Sequence, residues 1–81
     1  METRVAVISI VVSEANQVEE INRLLHGCAD YIIGRMGIPY PDKGVNLISI
    51  AIDAPEATVN ELSAALEALE GVNAKAIFAQ I

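Results

Sequence analysis

Residues 4–12 read Arg4-Val5-Ala6-Val7-Ile8-Ser9-Ile10-Val11-Val12, and a similar run returns at Val45-Asn46-Leu47-Ile48-Ser49-Ile50-Ala51-Ile52-Asp53. Both are short and rich in β-branched residues, which suit a pleated strand better than a helix. In the first run only Ser9 interrupts the apolar side chains from Val5 to Val12. It is therefore apolar on both faces and reads as a central strand. In the second, Val45, Leu47 and Ala51 share one face and Ile48, Ile50 and Ile52 the other, as the two-residue period of a strand requires.

Working outward from these runs, Asn16 is placed to cap a helix, with Glu19 three residues later completing a capping box. Val18, Ile21, Leu24 and Leu25 then recur at helical spacing, with Glu19, Glu20 and Arg23 elsewhere on the wheel. His26-Gly27 closes this helix. Ala29 to Met36 is predicted as a strand, and Gly37 to Gly44, with two prolines and two glycines, as a loop. Beyond the Val45 strand, Pro55 and Thr58 punctuate the next helix, Thr58 with Glu61 forming a second capping box. Val59, Leu62, Ala65, Leu66 and Leu69 make its apolar stripe, Gly71 ends it, and Val72 to Ile81 is the last strand. The order βαββαβ is the ferredoxin-like split βαβ, an α+β fold in one domain spanning residues 1–81. Right-handed crossovers place both helices on one face of a four-stranded antiparallel sheet.

That topology leaves one sheet face bare, yet the two long apolar runs carry apolar residues on both faces. A face left to water ordinarily alternates to polar residues, and a contiguous apolar patch is uncommon on a soluble monomer. Self-association through the sheet, as a dimer or tetramer, resolves the conflict.

Composition narrows the function classes. Of the 81 residues 53% are hydrophobic and 20% charged, which excludes a disordered tail. Eleven acidic against five basic residues give a net charge of −6, so the chain has no electrostatic footprint for a phosphate backbone, and no direct contact with nucleic acid is expected. A single cysteine rules out a disulfide scaffold. The first apolar run falls well short of the ~20 residues that cross a bilayer. No basic stretch and small-residue cleavage site frame it as a secretory signal. A cytoplasmic protein without membrane contact is the expectation.

The segment Tyr31-Ile32-Ile33-Gly34-Arg35-Met36-Gly37-Ile38-Pro39-Tyr40, followed by Lys43-Gly44-Val45 and Leu47-Ile48-Ser49-Ile50, closely resembles the family of iron-only hydrogenase system regulators. The likeness spans nearly the whole chain, to the closing Gly71-Val72. It implies an ACT-like, ferredoxin-like domain similar to the ligand-sensing half of the nickel-responsive repressor, and a link to iron-only hydrogenase expression or assembly. Three departures from those relatives stand out. A first strand beginning near Arg4 leaves no room for the repressor's ribbon-helix-helix, and only His26 and Cys28 are present where its sensing half has several histidines and a cysteine. The turn Ser13-Glu14-Ala15-Asn16 lacks the glycine or aspartate with which ACT domains often bind amino acids.

Among single residues, His26 and Cys28 are two metal ligands where a closed zinc site takes four. A metal-binding accessory protein sharing them across a subunit interface is the alternative reading, and an assembly factor for hydrogenase maturation a third. No cofactor is expected. Catalysis is not expected either: Glu19, Glu20, Glu61, Glu67 and Glu70 are scattered over helix surfaces, and no phosphate-cradling loop is present. The candidate ligand- or partner-binding segment is Gly34, Arg35, Met36, Gly37, Ile38 and Tyr40. A glycine inside a strand suggests a bulge or a close approach, an arginine fork suits a carboxylate or phosphate, and Met36 and Tyr40 offer an adaptable apolar wall. The charge balance makes one direct prediction: the isolated chain should produce no salt-sensitive, sequence-specific shift of duplex DNA in a gel, and such a shift would refute the reading of its surface.

Overall fold

The computed structural model describes residues 2–81. Its elements run β1 (Arg4–Val12), a 3₁₀ turn (Ala15–Gln17), α1 (Val18–His26), a 3₁₀ turn (Ala29–Tyr31), β2 (Ile32–Tyr40), a 3₁₀ turn (Pro41–Lys43), β3 (Val45–Ala54), α2 (Glu56–Glu67) and β4 (Val72–Phe78). The four strands form one antiparallel sheet in the order β2-β3-β1-β4. This is the α+β, ferredoxin-like βαββαβ arrangement that the pattern predicts.

The register explains what the apolar runs do. Ile8 lies opposite Ile50, Ile10 opposite Ile48 and Ala6 opposite Ile52, and all six are buried. Ile21 and Leu25 of α1 and Val59, Leu62 and Leu66 of α2 close over them, with Val72 and Ala74 of β4 completing the core. No polar or charged residue is buried among the described residues. The alternate positions of the same strands point the other way, away from both helices.

Several local expectations are corrected. Asn16 does not cap α1: it lies within the 3₁₀ turn, Gln17 takes the cap position without a side-chain cap bond, and the Gln17 amide instead donates to the Glu70 carbonyl at 3.1 Å. Thr58 does not cap α2 either. β3 runs one residue further than predicted, so Pro55 holds the cap position and Thr58 falls inside the first turn. Gly27 does follow the end of α1, but in right-handed geometry at φ −63° rather than as a left-handed cap. α2 ends at Glu67, before Gly71, and β4 at Phe78, before Ile81.

The largest correction concerns β2. It begins at Ile32 rather than Ala29 and continues through Gly37-Ile38-Pro39-Tyr40, the stretch read as a loop. Pro39 is compatible with pairing because β2 is an edge strand, where one side of the backbone needs no partner. The true connection is Pro41–Gly44, closed by Gly44 at φ 66°.

Gly71, at φ 74°, makes the second tight turn. Its carbonyl accepts from Ser13 N–H at 2.8 Å and from Ser13 Oγ at 3.0 Å, clasping the end of β1 to the start of β4. A Cβ on Gly71 would collide with Cβ and Cγ of Glu14, whereas one on Gly44 would meet nothing within 4 Å. Left-handed strain of about 1–2 kcal/mol is common to both positions, so the collision separates them. Urea unfolding should rank wild type above Gly44→Ala and Gly44→Ala above Gly71→Ala. Equal midpoints for the two variants would show that the clasp is not tight.

Candidate functional site

The β2 segment singled out from the sequence stays intact in the fold but is divided by its own pleat. A bulge between Ile32 and Gly34 shifts the register, after which Arg35 lies opposite Ile50, Gly37 opposite Ile48 and Pro39 opposite Asn46. Since Ile48 and Ile50 face the helices, so do Arg35, Gly37 and Pro39. Met36, Ile38 and Tyr40 fall opposite Ser49, Leu47 and Val45 and share the bare face. The glycine signal at Gly34 thus corresponds to a real bulge, displaced by one residue onto Ile33. No atom approaches closely where a Cβ on Gly34 would stand.

The bare face is extensive. Met36, Ile38 and Tyr40 of β2, Leu47 of β3, Val7 and Val11 of β1 and Ile77 of β4 are all exposed large apolar residues, from 39% for Val7 and Val11 to 67% for Ile77. Across its middle runs a row of Lys75, Ser9, Ser49 and Met36. A shallow depression of about 210 Å³ lies among Ser9, Val11, Met36, Ile38, Leu47 and Ser49. With no convergent charged groups there, this surface is suited to packing rather than to chemistry.

On the other side of β2, Arg35 stands in the seam between that strand and α1. One of its Nη2 hydrogens goes to Asn22 Oδ1 at 3.1 Å. Asn22 is a functional neighbour that the sequence did not announce. Its spacing to His26, one helical turn, is legible, but nothing local connects it to an arginine thirteen positions on. The other arginines are matched with carboxylates. Arg4 pairs with Glu56 and lies 4.4 Å from the centre of the Phe78 ring. Arg23 pairs with Glu20 at 2.5 Å and holds its carboxyl below the usual range, chiefly through the hydrogen bond.

His26 lines the cleft beside Arg35, while Cys28 packs half-buried against the core. Among the described residues no three His, Cys, Asp or Glu side chains are grouped closely enough to hold a metal ion. Burial, reinforced by the negative charge of Glu61, pushes the Cys28 thiol above its ordinary value, the opposite of what an activated nucleophile requires. No helix among the described residues is long and apolar enough to cross a membrane.

Comparison with known proteins adds to this geometry. The model of the TM1266-like family, described as "Iron-only hydrogenase system regulator, putative", matches residues 4–76. Among solved structures, the uncharacterized protein TM1266 from Thermotoga maritima superposes with a TM-score of 0.93 at 26% sequence identity, over 98% of this chain and 100% of that one. No curated protein matches.

The state of Cys28 can be read directly. Below about pH 8.5, the ordinary thiol pKa, it should react with iodoacetamide more slowly in the folded chain than in urea. Because the folded state holds this proton more tightly, stability should also fall as pH rises above that value. Faster alkylation of the folded protein would reveal an activated thiol and overturn the structural role.

Proposed function

The chain belongs to the TM1266-like family, and on that premise we propose that it is a cytoplasmic, non-enzymatic regulator of the iron-only hydrogenase system that works as a homo-oligomer, a dimer or tetramer packed sheet to sheet. Residues 1–81 act in it as one ACT-like domain that senses a small molecule or docks on a partner. The observation that carries this reading is the bare sheet face. Its central strands present Val7, Val11 and Leu47 where a solvated antiparallel sheet would carry polar groups.

The areas agree with a second copy as the occupant. The accessible surface is 5228 Å², against about 4,700 Å² for a compact monomer of this mass. Four strands spaced ~4.8 Å and about nine residues long present a face of roughly 550 Å² in projection. Side-chain relief raises its accessible area toward the ~800 Å² per partner of a stable interface. Lys75 lies on the edge strand β4, where a long stem lets an ammonium reach water while its methylenes stay covered.

Val11→Glu tests the reading, because Val11 is half-exposed in a single copy and, on the inner strand β1, lies within the face that a stacked pair would cover. In a monomer the change should be nearly neutral. In a sheet-to-sheet assembly it buries an unpaired carboxylate from each copy, a loss of several kcal/mol, and every ~1.4 kcal/mol weakens association tenfold. Sedimentation equilibrium at micromolar concentration should find wild type associated and Val11→Glu at 8.6 kDa, with unchanged circular dichroism. In a host with an iron-only hydrogenase, loss of this chain should alter hydrogenase activity, and Val11→Glu should fail to restore it. A monomeric wild type, or full restoration by Val11→Glu, would sink the proposal.

A further inference from the structure

The bare sheet face accounts for Met36, Ile38 and Tyr40 but leaves Arg35 without a role. Arg35 is exposed in the α1–β2 seam, and neither ion pair among the described residues includes it. That is unusual in a chain with eleven acidic residues and five basic ones. Its hydrogen bond with a neutral partner, Asn22, orients the guanidinium without neutralising it. A guanidinium carries five N–H donors, and this bond uses one.

The seam around it is open. On one side a cleft of about 400 Å³ is lined by Asn22, Leu25, His26, Ala29, Ile32 and Arg35. On the other, about 300 Å³ lies among Val18, Arg35, Gly37, Pro39 and Ile48. Arg35 is the wall that both share. The second cleft exists because Gly37 is the helix-facing residue there: a Cβ at that position would meet nothing within 4 Å. The floor is apolar, with Leu25 buried and Ile32 packed against the core, while the Asn22 amide and the His26 imidazole add donors at the rim.

We infer that the α1–β2 seam is a binding site for a small monocarboxylate with an apolar body, its carboxylate on the Arg35 guanidinium and its body along Leu25 and Ile32. This deepens the regulatory reading above and rests on it for biological meaning, though the site itself does not depend on the oligomeric state. Charge selects the class. A planar fork matches a carboxylate in two parallel hydrogen bonds. The last turn of α1, to which His26 belongs, carries partial negative charge, and the net charge is −6. Both weigh more heavily against a phosphate dianion than against a singly charged group. The cleft, about 400 Å³ and open to solvent, leaves room for a carboxylate with a short apolar body.

Hexanoate, acetate, hexanamide and inorganic phosphate serve as probes, titrated into the full chain by heteronuclear NMR. Hexanoate should bind saturably, with shifts centred on Asn22, His26 and Arg35. Acetate, lacking the body, and hexanamide, lacking the charge, should each bind about tenfold more weakly or worse. Arg35→Ala should remove hexanoate binding, and Arg35→Lys should restore part of it. Gly37→Ile, which fills the second cleft without touching the charge, should weaken hexanoate if its body crosses Arg35 and leave it unchanged if the body stays along Leu25 and Ile32 as inferred. Sedimentation of the same samples reports the oligomer separately, so a monomeric protein that still binds hexanoate overturns the assembly and not the site. Absence of saturable hexanoate binding, binding unaffected by Arg35→Ala, shifts centred elsewhere, weakening by Gly37→Ile, or tighter binding of phosphate than of hexanoate overturns the site.

Discussion

The pairing of β1 with β3, with Ile8 opposite Ile50 and Ile10 opposite Ile48, is the contact on which the rest of the molecule depends. These side chains are almost wholly removed from water, and burial of each contributes on the order of 1.5–3 kcal/mol. Because a strand alternates its side chains strictly, committing these residues to the helices commits their neighbours to the opposite side. Val7, Val11 and Leu47 are therefore held outward by the same register that builds the core. No single-residue slip can hide them without exposing the isoleucines. The apolar bare face is thus a consequence of the core and not a separate feature that could relax away.

The edge strand β2 connects the two surfaces of interest. Its bulge at Ile33 resets the alternation, so that Arg35 and Gly37 face the α1 seam and Met36, Ile38 and Tyr40 face outward. One strand thereby lines the proposed ligand cleft on one side and the proposed assembly surface on the other. β2 is also flanked by only one strand. A strand paired on one side only gives up fewer ladder hydrogen bonds when it shifts than a central strand does, and of the two edge strands, β2 and β4, β2 is the one that borders both surfaces. The central strands, locked on both sides, supply the rigid frame.

At the far end of β1 the chain is closed by neutral donors on backbone carbonyls and not by charge. Ser13 and Gln17 bind the carbonyls of Gly71 and Glu70, and the left-handed Gly71 brings the α2–β4 turn close enough to receive them. This clasp fills the turn after β1 with structural contacts. The seam beside Arg35 lies at a different edge of the fold, where the nine-residue α1 stops short of covering β2.

Sequence alone determined the element order, the core stripes of both helices and the two-sided apolar character of β1 and β3. These depend on periodicity, which is a local property: Ile48, Ile50 and Ile52 fall on one face whatever surrounds them. It also carried the family resemblance, in a stretch that the fold keeps intact. What it could not decide was which of two local options the environment would favour. Asn16 and Thr58 are good caps in isolation, but the paths of β1 and β3 place other residues at the helix starts. Gly37-Ile38-Pro39-Tyr40 has loop composition, yet pairing with β3 at an edge stabilises it as a strand. Which face of the sheet Arg35 and Met36 each take depended on a bulge and a register, and the meeting of Arg35 with Asn22 depended on a crossover that carries α1 back over the sheet. Those are long-range contacts, and only the tertiary structure sets them, because each is fixed by the packing of residues distant in the chain.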